Sequence, residues 1–300
     1  MTAPAELLGR LERVARGQVR GASAIGGQHG VLHYRVTMAD GRPAFAKVAQ
    51  GAANAASAGT ADAAFAAEAN SLRWLAEADA VGVPAVLGWS DTMLVTEWIA
   101  EQPADQQAAH RFGRELAQLH LAGAESFGAP WPGVLAGLPL PNDTADSWPD
   151  WFAAARLLPF ARLARDAGNL TSSDISIIET VATRIGELAG PAEPPSRIHG
   201  DCWSGNVLWS GGRGWLIDPA AHGGHRETDL AMLALFGAPY LDQIMAGYQE
   251  TAPLADGWQS RVPLHQLHPL LVHVCLFGSS YRESALSAAR QALRAHPRER

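Results

Sequence analysis

The feature that most constrains the fold of this chain is a spaced trio of polar residues, Asp201, Asn206 and Asp218. The asparagine lies five residues after the first aspartate, and the second aspartate lies twelve residues after the asparagine. Apolar segments at 207–209 and 215–217 predict two short strands around a glycine turn. Turns use Gly, Asn and Asp as well, but a turn alone does not require two aspartates and an asparagine within an apolar frame. We therefore expect a hairpin that presents oxygen atoms at a site.

These residue types suit the transfer of a phosphoryl group from ATP. Mg²⁺ prefers hard oxygen ligands, and Asn206 and Asp218 supply an amide and a carboxylate oxygen as candidate metal ligands. Asp201 is the candidate catalytic residue, which accepts the proton of the substrate hydroxyl. This spacing is typical of a kinase catalytic loop followed by a metal-binding hairpin.

The lysine usage points to the same chemistry. Lys47 is the only lysine among 23 basic residues. Genome composition or chance can produce this pattern; the functional interpretation is that Lys47 does something that arginine cannot, since lysine is a compact point charge. In kinases, a strand lysine contacts the ATP phosphates and pairs with a glutamate on the next helix. Glu68, within the predicted helix 61–78, is the candidate partner, and the alternative for Glu68 is a solvated helix residue.

The remaining nucleotide-binding candidates lie in the first hundred residues. Gly26, Gly27 and Gly30 precede a predicted hairpin, with strands at 31–36 and 44–48, and are expected to form a flexible loop over the phosphates. A glycine cluster alone is a weak signal, but its position before the lysine strand strengthens it. After further strands at 85–89 and 93–98, the backbone of residues 97–99, which are Glu97, Trp98 and Ile99, is expected to contact adenine.

The element order predicts an α+β, protein-kinase-like fold with two lobes. Residues 1–98 are expected to form an N-terminal lobe of antiparallel sheet plus helix. Residues 99–300 are expected to form a mostly helical C-terminal lobe that carries the catalytic loop and the metal site.

Composition excludes several other classes of protein. The hydrophobic fraction of 47% permits a sizeable core, and the net charge of −7 argues against nucleic acid as a partner. The charge-dense tail, 290–300, is expected to fray. No apolar stretch approaches the length that spans a bilayer, so we expect no membrane partner. The two cysteines, at 202 and 275, fit a reducing cytoplasm.

Longer motifs carry a family resemblance. Residues 199–206 resemble the HGDxWxGN signature of the fructosamine kinase family, and residues 217–220 and 224–232 resemble its IDPA and GxREaDLAM segments. The resemblance covers roughly residues 26–237. It implies ATP and Mg²⁺ as cofactors and phosphorylation of the sugar 3-hydroxyl in a ketosamine, either free or protein-bound. Such phosphorylated adducts fall apart, which removes the sugar from the amine.

The substrate residues are less constrained. Trp203 either stacks on the sugar or its amine substituent or belongs to the core. His225 and Glu227 are further substrate candidates, and His222 and His225 either touch substrate or phosphate or lie on the surface. His265, His268 and His273 fit no recognised metal-ligand spacing and are expected to pack between helices.

The chain departs from the family at its glycine loop. Residues 28–31 read Gln-His-Gly-Val, without the cysteine that some members carry there. A dimer linked by a disulfide through this loop is therefore not expected. Two alternatives to a ketosamine kinase remain at this point: another small-molecule kinase, acting on an aminoglycoside, choline or a sugar, and a catalytically inactive kinase-like binding protein.

Overall fold

The structure of this chain, a computed structural model, describes residues 5–28, 30–50 and 58–295. Within these residues a five-stranded antiparallel sheet forms in the order β1-β2-β3-β5-β4. Two helices accompany the sheet. The bounds are α1 (Ala5–Ala15), β1 (Val19–Gln28), β2 (Val31–Met38), β3 (Pro43–Ala49), α2 (Ala58–Ala76), β4 (Val86–Ser90) and β5 (Met93–Glu97).

The alternation of β3 divides the sheet into two faces. Ala46 and Val48 point to one face, where they pack against Leu7 and Leu11 of α1 in a buried cluster. Lys47 lies between them in sequence and therefore points to the opposite face, because successive side chains of a strand alternate. Phe65 of α2 packs against the sheet in a second cluster. The lysine thus emerges on the face shared with α2.

The rest of the described chain is mostly helical. The bounds are α3 (Gln106–Leu121), β6 (Gly133–Leu135), β7 (Leu138–Leu140), α4 (Trp148–Phe152), α5 (Leu158–Asp166), α6 (Ser172–Thr183), α7 (Ile185–Leu188), β8 (Ser196–Ile198), β9 (Val207–Ser210), β10 (Arg213–Leu216), β11 (His222–Gly224), α8 (Glu227–Leu235), α9 (Leu241–Thr251), α10 (Trp258–Phe277) and α11 (Arg282–Ala295). A single π-helical turn, Ala153–Leu157, joins α4 to α5. None of the helices within the described ranges combines the length and hydropathy needed to cross a bilayer.

The two lobes meet beside the hairpin β9–β10. The backbone N–H of Leu216 donates to the carbonyl of Gly82 at 2.8 Å, and Gly82 forms a parallel bridge with Trp215. The hydroxyl of Ser71 on α2 also accepts the backbone N–H of Ala221 at 3.2 Å. The hairpin that the polar trio flanks is therefore attached directly to the N-terminal lobe.

The predicted fold class is confirmed, and two local expectations are wrong. Gly26 and Gly27 belong to β1, a strand that we did not predict, and not to a flexible loop; His29 lies outside the described residues. Residues 290–295 do not fray, because they complete α11 and bury Ala292. Residues 296–300 lie outside the described residues.

Candidate active site

The glycine cluster forms the end of the β1–β2 hairpin. Gly27 pairs with Leu32, and a Cβ on Gly27 would lie 2.5 Å from the carbonyl oxygen of Val31. Gly30 has a φ of +77°, a backbone conformation that side chains disfavour. Both positions therefore require glycine for the tight turn, and the hairpin presents backbone with little side-chain cover.

Lys47 connects the two lobes through ion pairs. Its Nζ lies 2.8 and 2.9 Å from the two carboxylate oxygens of Glu68 on α2, so the predicted pairing is present. The same Nζ lies 2.8 Å from Oδ1 of Asp218, beyond β10. Burial alone would lower the pKa of Lys47, but the charges of Glu68 and Asp218 outweigh it and raise that pKa. The lysine is therefore a buried, charged point that faces two carboxylates.

Asp229 on α8 binds the backbone that leads into the candidate catalytic loop. This fully buried carboxylate accepts the backbone N–H of His199 at 2.7 Å and that of Gly200 at 3.0 Å. Its Oδ2 also lies 3.2 Å from Nε2 of His120 on α3, whose Nδ1 lies 2.8 Å from the hydroxyl of Tyr248. Three helices therefore fix the backbone that leads into Asp201. Asp229 lies within the motif at 224–232, but that motif does not by itself predict this role.

His199 ties the loop to the segment before Asp218. Burial lowers the pKa of His199, so the imidazole is neutral. Its Nε2 lies 2.9 Å from the carbonyl of Ile217, and its Nδ1 accepts the backbone N–H of Asp201 at 3.2 Å. These contacts assign the hydrogen to Nε2, because a carbonyl accepts and an N–H donates.

Asp201 and Asn206 contact each other across the loop. The Asn206 amide nitrogen donates to Oδ2 of Asp201 at 2.9 Å and to the Asp201 carbonyl at 2.9 Å. Its amide oxygen is therefore the group that remains for a ligand. Burial raises the pKa of the Asp201 carboxyl to about 7; the Asn206 hydrogen bond lowers it, and the charges of Asp218 and Asp229 raise it further.

Asp218 takes an unusual backbone conformation beside Asn206. Its φ is +53°, which is uncommon for a residue with a side chain. The backbone N–H of Ile217 donates to the carbonyl of Asn206 at 3.0 Å, so the segment before Asp218 runs alongside Asn206. Strained residues of this kind are concentrated at functional sites. The trio predicted from the sequence thus lies on two adjacent segments.

Residues 97–99 lie where β5 ends and the chain passes to the helical lobe. The N–H of Glu97 donates to the carbonyl of Ala85 at 2.8 Å, so this end of the sheet remains paired. The Trp98 ring packs on Phe45 at 6.5 Å and beneath the Arg35 guanidinium at 5.2 Å. Trp98 and Ile99 are partly buried.

The substrate candidates separate into one exposed and two buried residues. Trp203 is 39% exposed and lies in the loop between Asp201 and Asn206. His225 and Glu227 are only 4% and 3% exposed. Arg261 donates Nε to Glu227 at 2.9 Å and Nη2 to its other oxygen at 2.5 Å. The expectation that His225 and Glu227 contact substrate is therefore wrong for this arrangement, because their polar atoms are enclosed.

The histidines near this pair are also interior. His222 is 4% exposed, so the surface alternative for His222 and His225 is excluded. His225, Glu227 and His265 bring ligand atoms within 4.8 Å of one another. Arg261 already occupies both Glu227 oxygens, however, and its positive charge opposes a cation there. The packing role expected for His265 agrees with this geometry.

Taken together, the fold and the site define a class of protein. A sheet lobe with a buried Lys–Glu pair joins a helical lobe with an Asp, Asn and Asp site, as in protein-kinase-like phosphotransferases. The gentamicin complex of the aminoglycoside phosphotransferase APH(2")-IIa has this fold, with a TM-score of 0.65 at 15% identity over 98% of this chain and 97% of the other.

The chain belongs to the fructosamine kinase family, whose family model matches residues 15–295. A crystal structure from Thermobifida fusca shows a protein whose name assigns it to fructosamine-3-kinase. It is 49% identical to this chain with a TM-score of 0.93, and the match covers 97% of this chain and 100% of the other. A Synechocystis protein named as a probable ketoamine kinase is 34% identical over 77% of this chain and 79% of its own length. The family resemblance seen in the sequence is confirmed.

Proposed function

We propose that this protein is a ketosamine kinase that transfers the γ-phosphoryl group of ATP to the 3-hydroxyl of the sugar in fructosamine or ribulosamine adducts. The lobes that we propose, 1–98 and 99–300, would hold the nucleotide in the cleft between them. The glycine hairpin would cover the phosphates, and the backbone of residues 97–99 would contact adenine. Family membership and the names of the relatives support this substrate class.

The observation that carries the proposal is the position of Lys47. Its ammonium bridges Glu68 of α2 and Asp218 of the other lobe, at 2.8 Å from an oxygen of each. A structural ion pair requires one carboxylate, whereas this lysine holds a second one that is 31% exposed. Such a carboxylate, with a cation beside it, suits the place where phosphates and a metal ion meet.

The oxygen atoms of the site fit Mg²⁺. Asp218 offers a carboxylate, and Asn206 keeps its amide oxygen free because its nitrogen donates to Asp201. Both are ligands that Mg²⁺ prefers. When bound, the ion would neutralise the phosphate charge. Asn206 and Asp218 would hold it, and Lys47, which contacts Asp218, would bind the phosphates.

Asp201 would accept the proton of the sugar hydroxyl. Burial raises the pKa of its carboxyl to about 7, close to the value at which a general base is most effective. The Asn206 amide keeps the carboxylate oriented. Asp229 binds the backbone N–H groups that precede Asp201, so its proposed role is to position Asp201.

A substrate panel tests the proposed function. We expect the wild-type protein to phosphorylate fructose-amine or ribulose-amine adducts with Mg²⁺-ATP, and to leave kanamycin and choline unmodified. Phosphorus NMR of the product identifies the phosphorylated hydroxyl, and Asp201→Asn serves as the matched control for background turnover.

Two outcomes of this panel contradict the proposal in different ways. Phosphorylation of kanamycin or choline without activity on either adduct would establish another small-molecule kinase. Absence of ATP turnover with every acceptor would favour a kinase-like binding protein. We also propose a cytoplasmic location, which the two free cysteines, Cys202 and Cys275, support.

A further inference from the structure

A row of aromatic rings extends from the candidate catalytic loop across the surface of the helical lobe. We define the aromatic strip as Trp203, Phe236, His273, Phe277 and Tyr281. Consecutive ring centroids lie 6.1 Å (Trp203–Phe236), 5.1 Å (Phe236–His273) and 5.4 Å (His273–Phe277) apart. Tyr281 closes the far end, 4.8 Å from His273 and 5.8 Å from Phe277.

Three rings of the strip are more exposed than most aromatic side chains of the described residues. Trp203, Phe236 and Phe277 are 39%, 37% and 52% exposed. Across the described residues, Tyr240 is the only other Trp, Phe or Tyr that is exposed to this degree. Single exposed apolar residues are ordinary, but contiguous ones mark binding surfaces. Three of these four rings therefore call for an explanation in terms of a ligand.

One end of the strip lies in the candidate catalytic loop. Trp203 follows Asp201 by two residues, and its backbone N–H donates to the Asp201 carbonyl at 3.0 Å. Gly205 is packed beneath the Trp203 ring, since a Cβ there would lie 2.2 Å from it. The ring is thus fixed in the loop next to Asp201. A molecule whose hydroxyl reaches Asp201 can lie along Trp203 and continue over Phe236.

The chemistry of the strip selects one kind of ligand. Aromatic faces attract hydrocarbon and also cations. The Nδ1 of His273 lies 2.7 Å from the carbonyl of Pro269 and therefore donates to it, which leaves Nε2 as an acceptor for an N–H group. The strip itself contains no carboxylate. This combination fits a single ammonium flanked by hydrocarbon better than a polycation.

We infer that the aromatic strip binds the amine side of the ketosamine, and that the enzyme prefers adducts whose nitrogen carries a long alkyl chain or an aromatic ring. The inference rests on the proposed function. In a ketosamine the protonated secondary amine is attached to C1, two bonds from the carbon that bears the reacting 3-hydroxyl, and its substituent can extend away from that hydroxyl. With that hydroxyl at Asp201, the ammonium lies near Trp203 and the substituent extends towards Phe236 and Phe277.

Two adducts that differ only in the amine test the inference: fructose linked to phenethylamine and fructose linked to methylamine. We expect kcat/KM of the wild-type protein to be at least about tenfold higher for the phenethylamine adduct, since small changes in hydrophobic contact give discrimination of this order. Phe277→Ser and Phe236→Ser should each reduce that ratio by about three- to tenfold. The change should be mainly in KM, because the lost contact is the same in the ground state and the transition state.

Leu121→Ser is the matched control, because Leu121 is an exposed apolar residue of α3 that makes no ring contact with the strip. It should leave the ratio unchanged, and thermal melting checks that all variants are folded. A wild-type ratio near one, or an equal fall for both adducts in the strip variants, would overturn the inference while leaving the proposed function intact. Failure of the wild-type protein to phosphorylate either adduct would instead overturn the proposed function, and the inference with it.

Discussion

At the scale of single residues, the site depends on a cation that contacts two carboxylates at once. Lys47 is almost fully buried, and charges leave water only at a substantial cost unless they are well paired. Its compact ammonium lies within 2.9 Å of three oxygens of Glu68 and Asp218. A planar guanidinium has a fixed fork of donors and a larger volume. The geometry thus gives a physical reason for lysine in a chain whose other basic residues are all arginine.

Lys47→Arg tests this reasoning because it keeps the charge and changes the shape. We expect turnover to fall by at least about 100-fold, since displacements near 1 Å at a reacting centre have effects of this size. Steady-state kinetics with ATP measures the loss, and circular dichroism checks the fold. Arg42→Lys, an exchange of the same pair at an 83% exposed side chain, is the control. Normal turnover of Lys47→Arg would mean that the single lysine has no special role.

At the scale of elements, α6 is tied to α11 through one carboxylate. Asp174 forms a capping box with Thr171 at the start of α6. It also receives Nε and Nη2 of Arg282 at 2.8 and 2.9 Å. The hydrogen bonds from Arg282 hold the pKa of Asp174 at about 2, below that of a free aspartate. The carboxylate therefore stabilises the fold only while it is ionised.

This arrangement predicts how stability depends on pH. Because the folded pKa lies below the unfolded value, the contribution of Asp174 is complete above about pH 4 and is lost as the pH falls towards 2. We expect Asp174→Asn to lower the free energy of unfolding by about 1–3 kcal/mol at pH 6, and the difference from wild type to shrink on acidification. This loss of stability stays modest because the Arg282 side chain is 34% exposed, so solvent screens the ion pair. Urea unfolding of both proteins at pH 6, 4 and 3 measures the difference. A difference that stays constant over this range would contradict the ionic origin of the contribution.

Elements with strong local patterns could be predicted from the sequence. The strand with Lys47 and the helix with Glu68 follow from alternation and helix-forming residues, and the structure has them as β3 and α2. Strand β1 could not be predicted, since its Gly, Ala and Ser residues are mostly exposed and show no apolar alternation. It exists because it pairs with β2 along its length.

Within the site, contacts between residues close in sequence could be predicted. Contacts between residues far apart in sequence could not. The Asp201–Asn206 contact spans five positions and follows from the loop motif. The contact of Asp229 with His120 spans 109 positions, and no sequence spacing reveals it. A sequence motif also does not show whether its side chains are buried. Glu227 lies in a family segment near Asp218, yet its partner is Arg261, 34 positions away.

At the scale of the whole molecule, the lobes are connected through the site itself. Lys47 of the sheet lobe contacts Asp218 of the helical lobe, and Gly82 pairs with Trp215 nearby. A ligand that binds Asp218 and Lys47 together therefore contacts both lobes. A ligand that binds the folded state alone raises stability by about 2.7 kcal/mol at 100 times its Kd. We expect Mg²⁺-ATP to raise the melting temperature of the wild-type protein by several degrees.

The rise in melting temperature on binding Mg²⁺-ATP should distinguish the roles of the two aspartates in the variants Asp201→Asn and Asp218→Asn. Asp201→Asn removes the proposed proton acceptor and keeps an oxygen of similar size, so turnover should fall by about 10²–10⁴-fold, while Mg²⁺-ATP still raises the melting temperature. Asp218→Asn removes a charge from the proposed metal site and from the contact with Lys47. Mg²⁺ affinity, turnover and the ligand-induced rise in melting temperature should then fall together, and raised Mg²⁺ should restore part of each.

The deciding measurement is calorimetric titration of Mg²⁺-ATP into both variants, with steady-state rates over a Mg²⁺ series. Equal loss of binding in the two variants would contradict the division of roles, because Asp201 would then contribute to holding the nucleotide. A small effect of Asp201→Asn on turnover would have a different meaning. A loose phosphoryl-transfer transition state demands little from a base, so Asp201 would then act by positioning the sugar hydroxyl. In that case the variant should raise KM for the ketosamine and leave the Kd for Mg²⁺-ATP unchanged.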